Sequence, residues 1–446
     1  MSASLIETWN RTVHSRPDAP ALIDASDGRA WSRRALDAHA AAWADAAALP
    51  LAGEGVAFSE PNGPAWLQVF LGLLKAGAVP APLDPGEPAE AQRYLAQAIR
   101  ARFLWSSGTL HRIHRGRRAP EDGRRVLKIT SGSTGTPRAL PFTDFQLLAD
   151  ARQICATMGI RPTDINLGLI PFGHSYGLGN LVLPLLAQGT TIVSGIPALP
   201  QALAAGIAKW LPTVFPAVPT LVWALAEADV EPKKLSSLRT VVSAGSELPP
   251  QAARSFYRRF GLKIHSFYGS SETGGITYDR SGDAALTGRS VGTPLKDVRL
   301  TFGRGGRFTV ASAAVFTLGN PCTSRGRGVH LVSDLGRLDS HGELALLGRA
   351  GRTIKVAGRR FNPAEIEGIL KKLPGVGDAF VAADPHRPHA LAAAVAGTVS
   401  ADAIRTALRG KVAPWKIPGR LIALPRLPVT ARGKPDTRRL LALLEG

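Results

Sequence analysis

The sequence predicts an α/β protein: a large N-terminal domain of mixed, mostly parallel sheets flanked by helices, carrying a β-rich subdomain, then a small α+β domain. Three observations lead there. Between about residues 50 and 300, short β-like runs alternate with longer helix-like runs, the pattern of parallel sheets with crossover helices. Residues 301–348 change texture to short strands divided by Gly turns. The 446-residue length exceeds what one compact core usually holds, so two or more domains are expected.

The strand candidates are Gly55–Phe58, Val126–Ile129, Asn166–Ile170, Thr191–Val193, Thr240–Ser243 and Lys263–Ser266, each a short apolar or β-branched run. Helices are expected over Ala65–Ala76, Phe145–Met158, Leu178–Ala187 and Gln251–Phe260. Thr143 with Gln146 three residues later is a capping-box signature for the second of these. The β-rich stretch holds strands at Arg299–Phe302, Arg307–Ala311, Val329–Val332 and Glu343–Leu347. A Gly- and Arg-rich passage, Gly348–Gly358, reads as a hinge. Beyond it come a helix at Pro363–Leu370, a strand at Ala379–Ala382 and helices at Ala401–Gly410 and Thr437–Leu444.

Composition removes several function classes. Hydrophobic residues at 45% and charged residues at 20% fit a globular chain, not a disordered one. The longest apolar stretch, Leu178–Val193, is broken by Pro184, Gln188 and Gly189, so no membrane insertion is expected. Met1–Pro20 is polar without an apolar signal core, and the only cysteines are Cys155 and Cys322; both points read as cytoplasmic. Two cysteines make neither a disulfide framework nor a zinc site. The net charge of +20 invites a nucleic-acid reading, but its arginines form short scattered clusters with no nucleic-acid-binding signature, and no nucleic-acid partner is expected. A basic surface suits acidic partners instead, such as coenzyme A phosphates or an acidic acyl carrier protein.

One segment carries chemistry on its face: Thr130-Ser131-Gly132-Ser133-Thr134-Gly135-Thr136-Pro137-Arg138, after an apolar strand and before a helix. Such a turn aims backbone N–H groups and hydroxyls at an anion, and Gly132 and Gly135 keep Cβ atoms out of the way. The spacing is not that of a Walker A loop, and a flexible surface turn is the competing reading. At the carboxyl end of a strand in a parallel sheet, the loop would lie where such sheets bind ligands.

Three further segments follow in order. They are Phe267-Tyr268-Gly269-Ser270-Ser271-Glu272-Thr273-Gly274; Val332-Ser333-Asp334-Leu335-Gly336 with Gly348-Arg349 and Ile354–Phe361 to Glu365-Ile366-Glu367; and Leu427-Pro428-Val429-Thr430-Ala431-Arg432-Gly433-Lys434. With the Thr130 loop they resemble the adenylate-forming superfamily of acyl- and aryl-CoA synthetases, nonribosomal-peptide adenylation domains and luciferases. Gly77-Ala78-Val79-Pro80 to Leu83-Asp84-Pro85 and Ser290–Leu295 look like family segments too, so the resemblance spans nearly the whole chain.

The resemblance implies an AMP-binding adenylation domain over 1–348 and a small mobile lid domain over 349–446, pivoting at about 348–351. It implies an enzyme that joins a carboxylic acid to ATP as an acyl adenylate and passes the acyl group to coenzyme A or to a carrier-protein phosphopantetheine. Thr130, Ser131, Gly132, Ser133, Thr134 and Gly135 would hold the phosphates, with Arg138 where the family usually has Lys. Glu272 would hold Mg²⁺, although taken alone it is equally a first-turn carboxylate. Ser271 would contact the α-phosphate, Tyr268 would stack on adenine beside Gly269, Ser246, Glu247 and Leu248 or serve only in core packing, and Asp334 would accept both ribose hydroxyls near Arg349. Lys434 would deliver a cation to the reacting carboxylate, Gly358 would line the pantetheine tunnel, and Arg359 and Arg360 would meet carrier or coenzyme phosphates. Gly351 stands where the family usually carries Asp or Lys.

The acid is placed near Phe172–Asn180, with His174 closing the pocket beside the carboxylate or serving only as a hydrogen-bonded packing residue, and Tyr176, Gly177, Gly179 and Asn180 lining it. Tyr176–Asn180 looks like the corresponding stretch of benzoate-type ligases, whereas Pro171–His174 looks more like that of fatty acyl ligases, so the sequence leans to a small aromatic acid over a medium- or long-chain fatty acid. A non-catalytic protein binding ATP or an acyl adenylate on the same scaffold is the third reading, motivated by Arg138 and Gly351.

Overall fold

In the computed structural model, residues 3–47, 49–114, 123–131, 137–317, 328–349, 354–356, 358–361, 363–371, 373–387, 389–428 and 436–446 are described. The chain forms two compact units. One comprises Met1–Asp84, Arg100–Ile129 and Ala139–Ala350; the other comprises Pro85–Ile99, Thr130–Arg138 and Gly351–Gly446. Two short segments that the sequence places in the N-terminal domain therefore group with the C-terminal one.

The first unit is built on a nine-stranded sheet in the order Thr293–Pro294, Gly274–Tyr278, Ile264–Ser270, Thr240–Ser243, Val214–Ala217, Ile165–Leu167, Thr191–Ser194, Pro20–Asp24 and Ala30–Ser32. Its middle is parallel, and antiparallel strands close both edges. Thr191–Ser194, Val214–Ala217 and Thr240–Ser243 are buried throughout, as strands covered on both faces must be. A four-stranded sheet of Val79–Pro82, Gly55–Phe58, Phe103–Ser106 and Thr109–Arg112 belongs to the same unit. So does an antiparallel meander of Arg299–Phe302, Arg307–Ser312, Gly328–Leu338 and Leu344–Arg349. The α/β class and the β-rich subdomain are thus as the sequence predicts.

Details differ for local reasons. The strand before the Thr130 loop runs Val126–Ser131 and pairs with Pro137–Phe142 in a separate two-stranded sheet, not in a parallel one. Only five residues separate the two strands, too few for the crossover that a parallel pairing needs. The helix expected at Leu178–Ala187 starts earlier, at Ser175, and Leu178–Val182 is π-helical before the chain resumes as Leu183–Gln188. Pro184 has no N–H to give the Asn180 carbonyl. That carbonyl instead accepts the Asn166 side-chain amide at 3.1 Å. The strand at Lys263–Ser266 extends to Ser270, parallel to Thr240–Ser243 at first and then antiparallel to Gly274–Tyr278.

The second unit carries a three-stranded sheet of Val376–Ala383, Leu391–Gly397 and Arg420–Leu424. The central strand is mostly alanine, and its small side chains admit close layers on both faces. Ile366, Leu370, Ile404 and Leu408 cluster with one face, and Leu440 and Leu444 with the other. Within this unit Lys416 Nζ bridges Glu87 (2.5 Å) and Glu365 (2.9 Å). Burial opposes the Lys416 ammonium, but the two carboxylates outweigh it and its pKa is raised.

Among the described residues no helix is long and apolar enough to cross a membrane.

Candidate active site

The helix Asp144–Met158 organises the site. Its start is the capping box read from the sequence: Thr143 Oγ1 accepts the Gln146 N–H at 3.3 Å, and Gln146 Oε1 accepts the Thr143 N–H at 3.0 Å. Its buried face carries polar side chains, Gln146, Asp150 and Gln153, at helical spacing i, i+4, i+7. Each ties down a different loop. Gln146 Nε2 donates to the Val315 carbonyl (2.9 Å), Asp150 Oδ1 accepts the Gly275 N–H (3.0 Å), and Gln153 Oε1 accepts the Ser312 hydroxyl (3.1 Å).

Asp150 also faces a buried cation. Lys128, in the strand Val126–Ser131, is 2% exposed; its Nζ lies 4.0 Å from Asp150 Oδ2 and 4.2 Å from the Phe142 ring centroid. Burial lowers the Lys128 pKa against the pull of Asp150 and Glu272, and burial raises that of Asp150 against the pull of Lys128 and the Gly275 N–H. Neither residue stood out in the sequence. The available signal was a lysine inside an otherwise apolar strand run and an aspartate on the apolar side of a helix.

Tyr268, Gly269, Ser271 and Glu272 lie at the end of the strand Ile264–Ser270 and on the turn into Gly274–Tyr278. Gly274 opens the return strand at φ +70°, and a Cβ there would sit 2.3 Å from Asp150 Oδ1. The Glu272 carbonyl accepts the Phe316 N–H at 2.7 Å. Tyr268 donates its hydroxyl to Asp334 Oδ2 at 2.6 Å, with both side chains buried. Arg349 stands opposite Asp334 in the strand register. Two sequence motifs 66 residues apart therefore meet.

The expected acid-binding stretch joins the same place. Ser175 donates to Ser271 Oγ at 3.0 Å. His174 precedes that helix; its Nε2 lies 3.8 Å from Asp84 Oδ2, and its side chain is 39% exposed. The Tyr176 hydroxyl reaches the carbonyls of Ala217 (3.3 Å) and Val242 (3.2 Å), and burial raises its pKa. Its ring lies 5.9 Å from that of Phe267. Gly177 and Gly179 are close-approach glycines: a Cβ on the first would meet the Pro171 carbonyl oxygen at 2.0 Å, and one on the second would meet Ile154 at 3.2 Å and Asp150 Oδ2 at 3.3 Å. Asn180 is fully buried and donates to the Tyr176 carbonyl at 3.3 Å.

Ser246 is half-buried and Glu247 exposed, in the loop after Thr240–Ser243. In the second unit, Thr130 and Ser131 end their strand and Arg138 is exposed in the next; Gly358, at φ +78°, sits in the hairpin turn of Ile354–Val356 with Arg359–Phe361. The Arg359 guanidinium lies 5.1 Å from the Trp415 ring. Gly132, Ser133, Thr134, Gly135, Gly351 and Lys434 lie outside the described residues.

No group of three or more His, Cys, Asp or Glu side chains suited to a metal exists among the described residues. The one carboxylate assigned to the ion, half-buried Glu272, nonetheless fits Mg²⁺, which takes one or two carboxylates and completes its shell with phosphate oxygens and water. A buried Asp334 with oxygen acceptors suits ribose hydroxyls by the same test of chemistry.

Comparison with known proteins adds to this geometry. The pattern of the AMP-binding enzyme family matches residues 9–129 and 117–301, and that of the AMP-binding enzyme C-terminal domain matches residues 365–434. A 2-hydroxy-7-methoxy-5-methyl-1-naphthoate–CoA ligase of Streptomyces carzinostaticus is 27% identical over 71% of this chain, and the match spans 62% of that ligase's length. A feruloyl-CoA synthase of Amycolatopsis is 27% identical, with 86% of this chain and 87% of that one covered. The solved o-succinylbenzoate CoA synthetase of Bacillus subtilis superposes with a TM-score of 0.83 at 21% identity, covering 97% of this chain and 98% of that one.

Proposed function

The chain belongs to the AMP-binding enzyme family, and from that premise we propose that it is an AMP-forming acid–thiol ligase: it activates a carboxylic acid with ATP and passes the acyl group to a thiol. One observation carries the reading. The Tyr268–Gly274 turn, the Asp334 strand and the Ser175 helix come from distant parts of the chain, yet hydrogen bonds at 2.6 and 3.0 Å join them.

The chemistry sets the roles. A carboxylate and a triphosphate repel each other, so the protein must neutralise charge and hold the attack in line. In this reading the Thr130–Gly135 loop and Arg138 hold phosphate oxygens, Ser271 addresses the α-phosphate, and Asp334, with Arg349 opposite it, takes the ribose. Tyr268 fixes the Asp334 carboxylate by its hydroxyl while its ring stacks on adenine beside Ser246 and Glu247. Mg²⁺, when bound through Glu272, supplies charge neutralisation on the phosphates. The acid's carboxylate oxygen attacks the α-phosphorus and pyrophosphate leaves; Lys434 neutralises the charge that develops. The thiol then attacks the acyl carbon and AMP leaves. Residues 349–446 act as the lid, turning about 348–351 between the two steps, with Gly358 beside the pantetheine and Arg359 and Arg360 on its phosphates.

For the acid, we favour a small aromatic one, held between His174, Tyr176, Gly177, Gly179 and Asn180. Support comes from the Tyr176–Phe267 ring pair and from the two relatives above, named for a naphthoate and a feruloyl substrate. Both are CoA-linked, which supports coenzyme A as the acceptor; an acidic carrier protein suits the net charge of +20.

The test is ATP–pyrophosphate exchange with Mg²⁺ across benzoates, cinnamates and fatty acids of rising length. Exchange strongest with an aryl acid is the expected result. Exchange only with fatty acids moves the substrate to the alternative class, and folded protein that exchanges with no acid, while still binding ATP, leaves a binding protein on this scaffold.

A further inference from the structure

We propose that Lys128 and Asp150 are positioning residues for adenylation, a buried pair that holds the turn carrying Ser271 and Glu272 against the strand leading into the phosphate loop. The inference rests on the ligase reading for the identity of the reaction, but its geometry stands by itself.

The Asp150 carboxylate is a meeting point of three elements. Its Oδ1 takes the Gly275 N–H at 3.0 Å, and Gly274 approaches so closely that any Cβ would stand 2.3 Å away. Its Oδ2 faces Lys128 at 4.0 Å and the backbone of Gly179, whose Cβ position is 3.3 Å off. The strand before the phosphate loop, the Glu272 turn and the helix of the acid pocket thus share one buried oxygen pair. Both Lys128 and Asp150 are 2% exposed.

Such a pair is a poor device for stability alone. Two charges lose their hydration on burial, and well-packed apolar residues of the same volume do as well or better. Its use is in geometry: Asp150 faces Lys128 at 4.0 Å while holding the Gly275 N–H at 3.0 Å. Glu272 lies two residues before Gly274, so a shift of the turn moves the carboxylate assigned to Mg²⁺. Displacement by about 1 Å is enough to lower a rate a hundredfold.

The variants are K128M/D150N, which removes both charges while Asn keeps an oxygen for Gly275, and K128R, which keeps the cation. K128M alone leaves Asp150 buried without its partner, so the double variant carries the test. MgATP binding is read by calorimetry, and pyrophosphate exchange gives KM for ATP, KM for the acid and half-saturating Mg²⁺. We expect the double variant to weaken MgATP binding and raise half-saturating Mg²⁺ by about tenfold to a hundredfold, the usual cost of losing an outer-shell partner, with KM for the acid moved less than about threefold on that basis. K128R, which keeps the cation beside Asp150, should lose much less than the double variant. A folded double variant that binds MgATP within about twofold of wild type, or one whose nucleotide and acid constants move equally, overturns the proposal. If wild type binds MgATP but exchanges with no acid, the ligase reading fails and the binding comparison still decides the pair. If wild type binds no MgATP, both fall.

Discussion

Replacing Tyr268 by Phe removes one atom, and the structure fixes what that atom does. The hydroxyl donates to Asp334 Oδ2 at 2.6 Å, with Tyr268 4% and Asp334 7% exposed. Water therefore has little access to replace it. A hydrogen bond to a charged acceptor contributes about 1.5–3 kcal/mol. At 1.4 kcal/mol per tenfold, a full transfer of that loss to nucleotide binding is about tenfold to a hundredfold. The aromatic ring stays, so its packing in the core is kept. If Asp334 receives the ribose, Y268F raises KM for ATP toward that range, leaves KM for the acid within about twofold, and lowers the melting temperature by a few degrees. Pyrophosphate exchange at varied ATP, with a thermal melt of the same sample, reads all three. A lowered melting temperature with an unchanged KM for ATP would refute the reasoning, because the bond would then serve the fold and not the nucleotide.

Lys434→Ala should cut adenylate formation by about a hundredfold or more, the typical loss of one transition-state donor, while a chemically supplied acyl adenylate is still consumed by the thiol; equal loss in both half-reactions would sink the assigned role. Gly177→Ala puts a Cβ 2.0 Å from the Pro171 carbonyl oxygen, a backbone atom that cannot rotate away, so it should destabilise by about 1–3 kcal/mol and cost activity by shifting His174. Gly179→Ala, with contacts of 3.2 and 3.3 Å, should be milder; equal urea midpoints for the two would contradict this order. Burial pushes the Cys155 thiol up to about 12. An unfolded thiol ionises near pH 8.5, so between there and pH 12 the unfolded state gives up its proton first, and this group lowers stability by up to about 1.4 kcal/mol per pH unit. In a Cys322→Ser background the native protein should resist thiol labelling at pH 8 and react once unfolded; stoichiometric labelling of the native state would disprove the burial.

Much of the fold was legible because its signals are local. The capping box at Thr143 and Gln146, the apolar strand Thr240–Ser243 and the helix Pro363–Leu370 depend on residues within a turn or two of each other, and each appears where expected. The family was legible for the same reason: the motifs of Tyr268–Glu272 and Asp334 that carry the resemblance are contiguous residues. Less legible was how the chain closes around them. The π-helical turn at Leu178–Val182 needs Pro184 to free a carbonyl and Asn166, on another element, to take it.

The sequence by itself determined the α/β class, the family and the order of the motifs, since short-range propensity and residue identity suffice for these. Tertiary structure alone decided that Tyr268 holds Asp334, that Ser175 meets Ser271, and that Lys128 and Asp150 share the interior behind Glu272. These contacts join residues 22 to 96 positions apart. No local periodicity encodes them; they exist because the buried face of one helix presents Asp150 to a strand and a turn that the fold has already brought within reach.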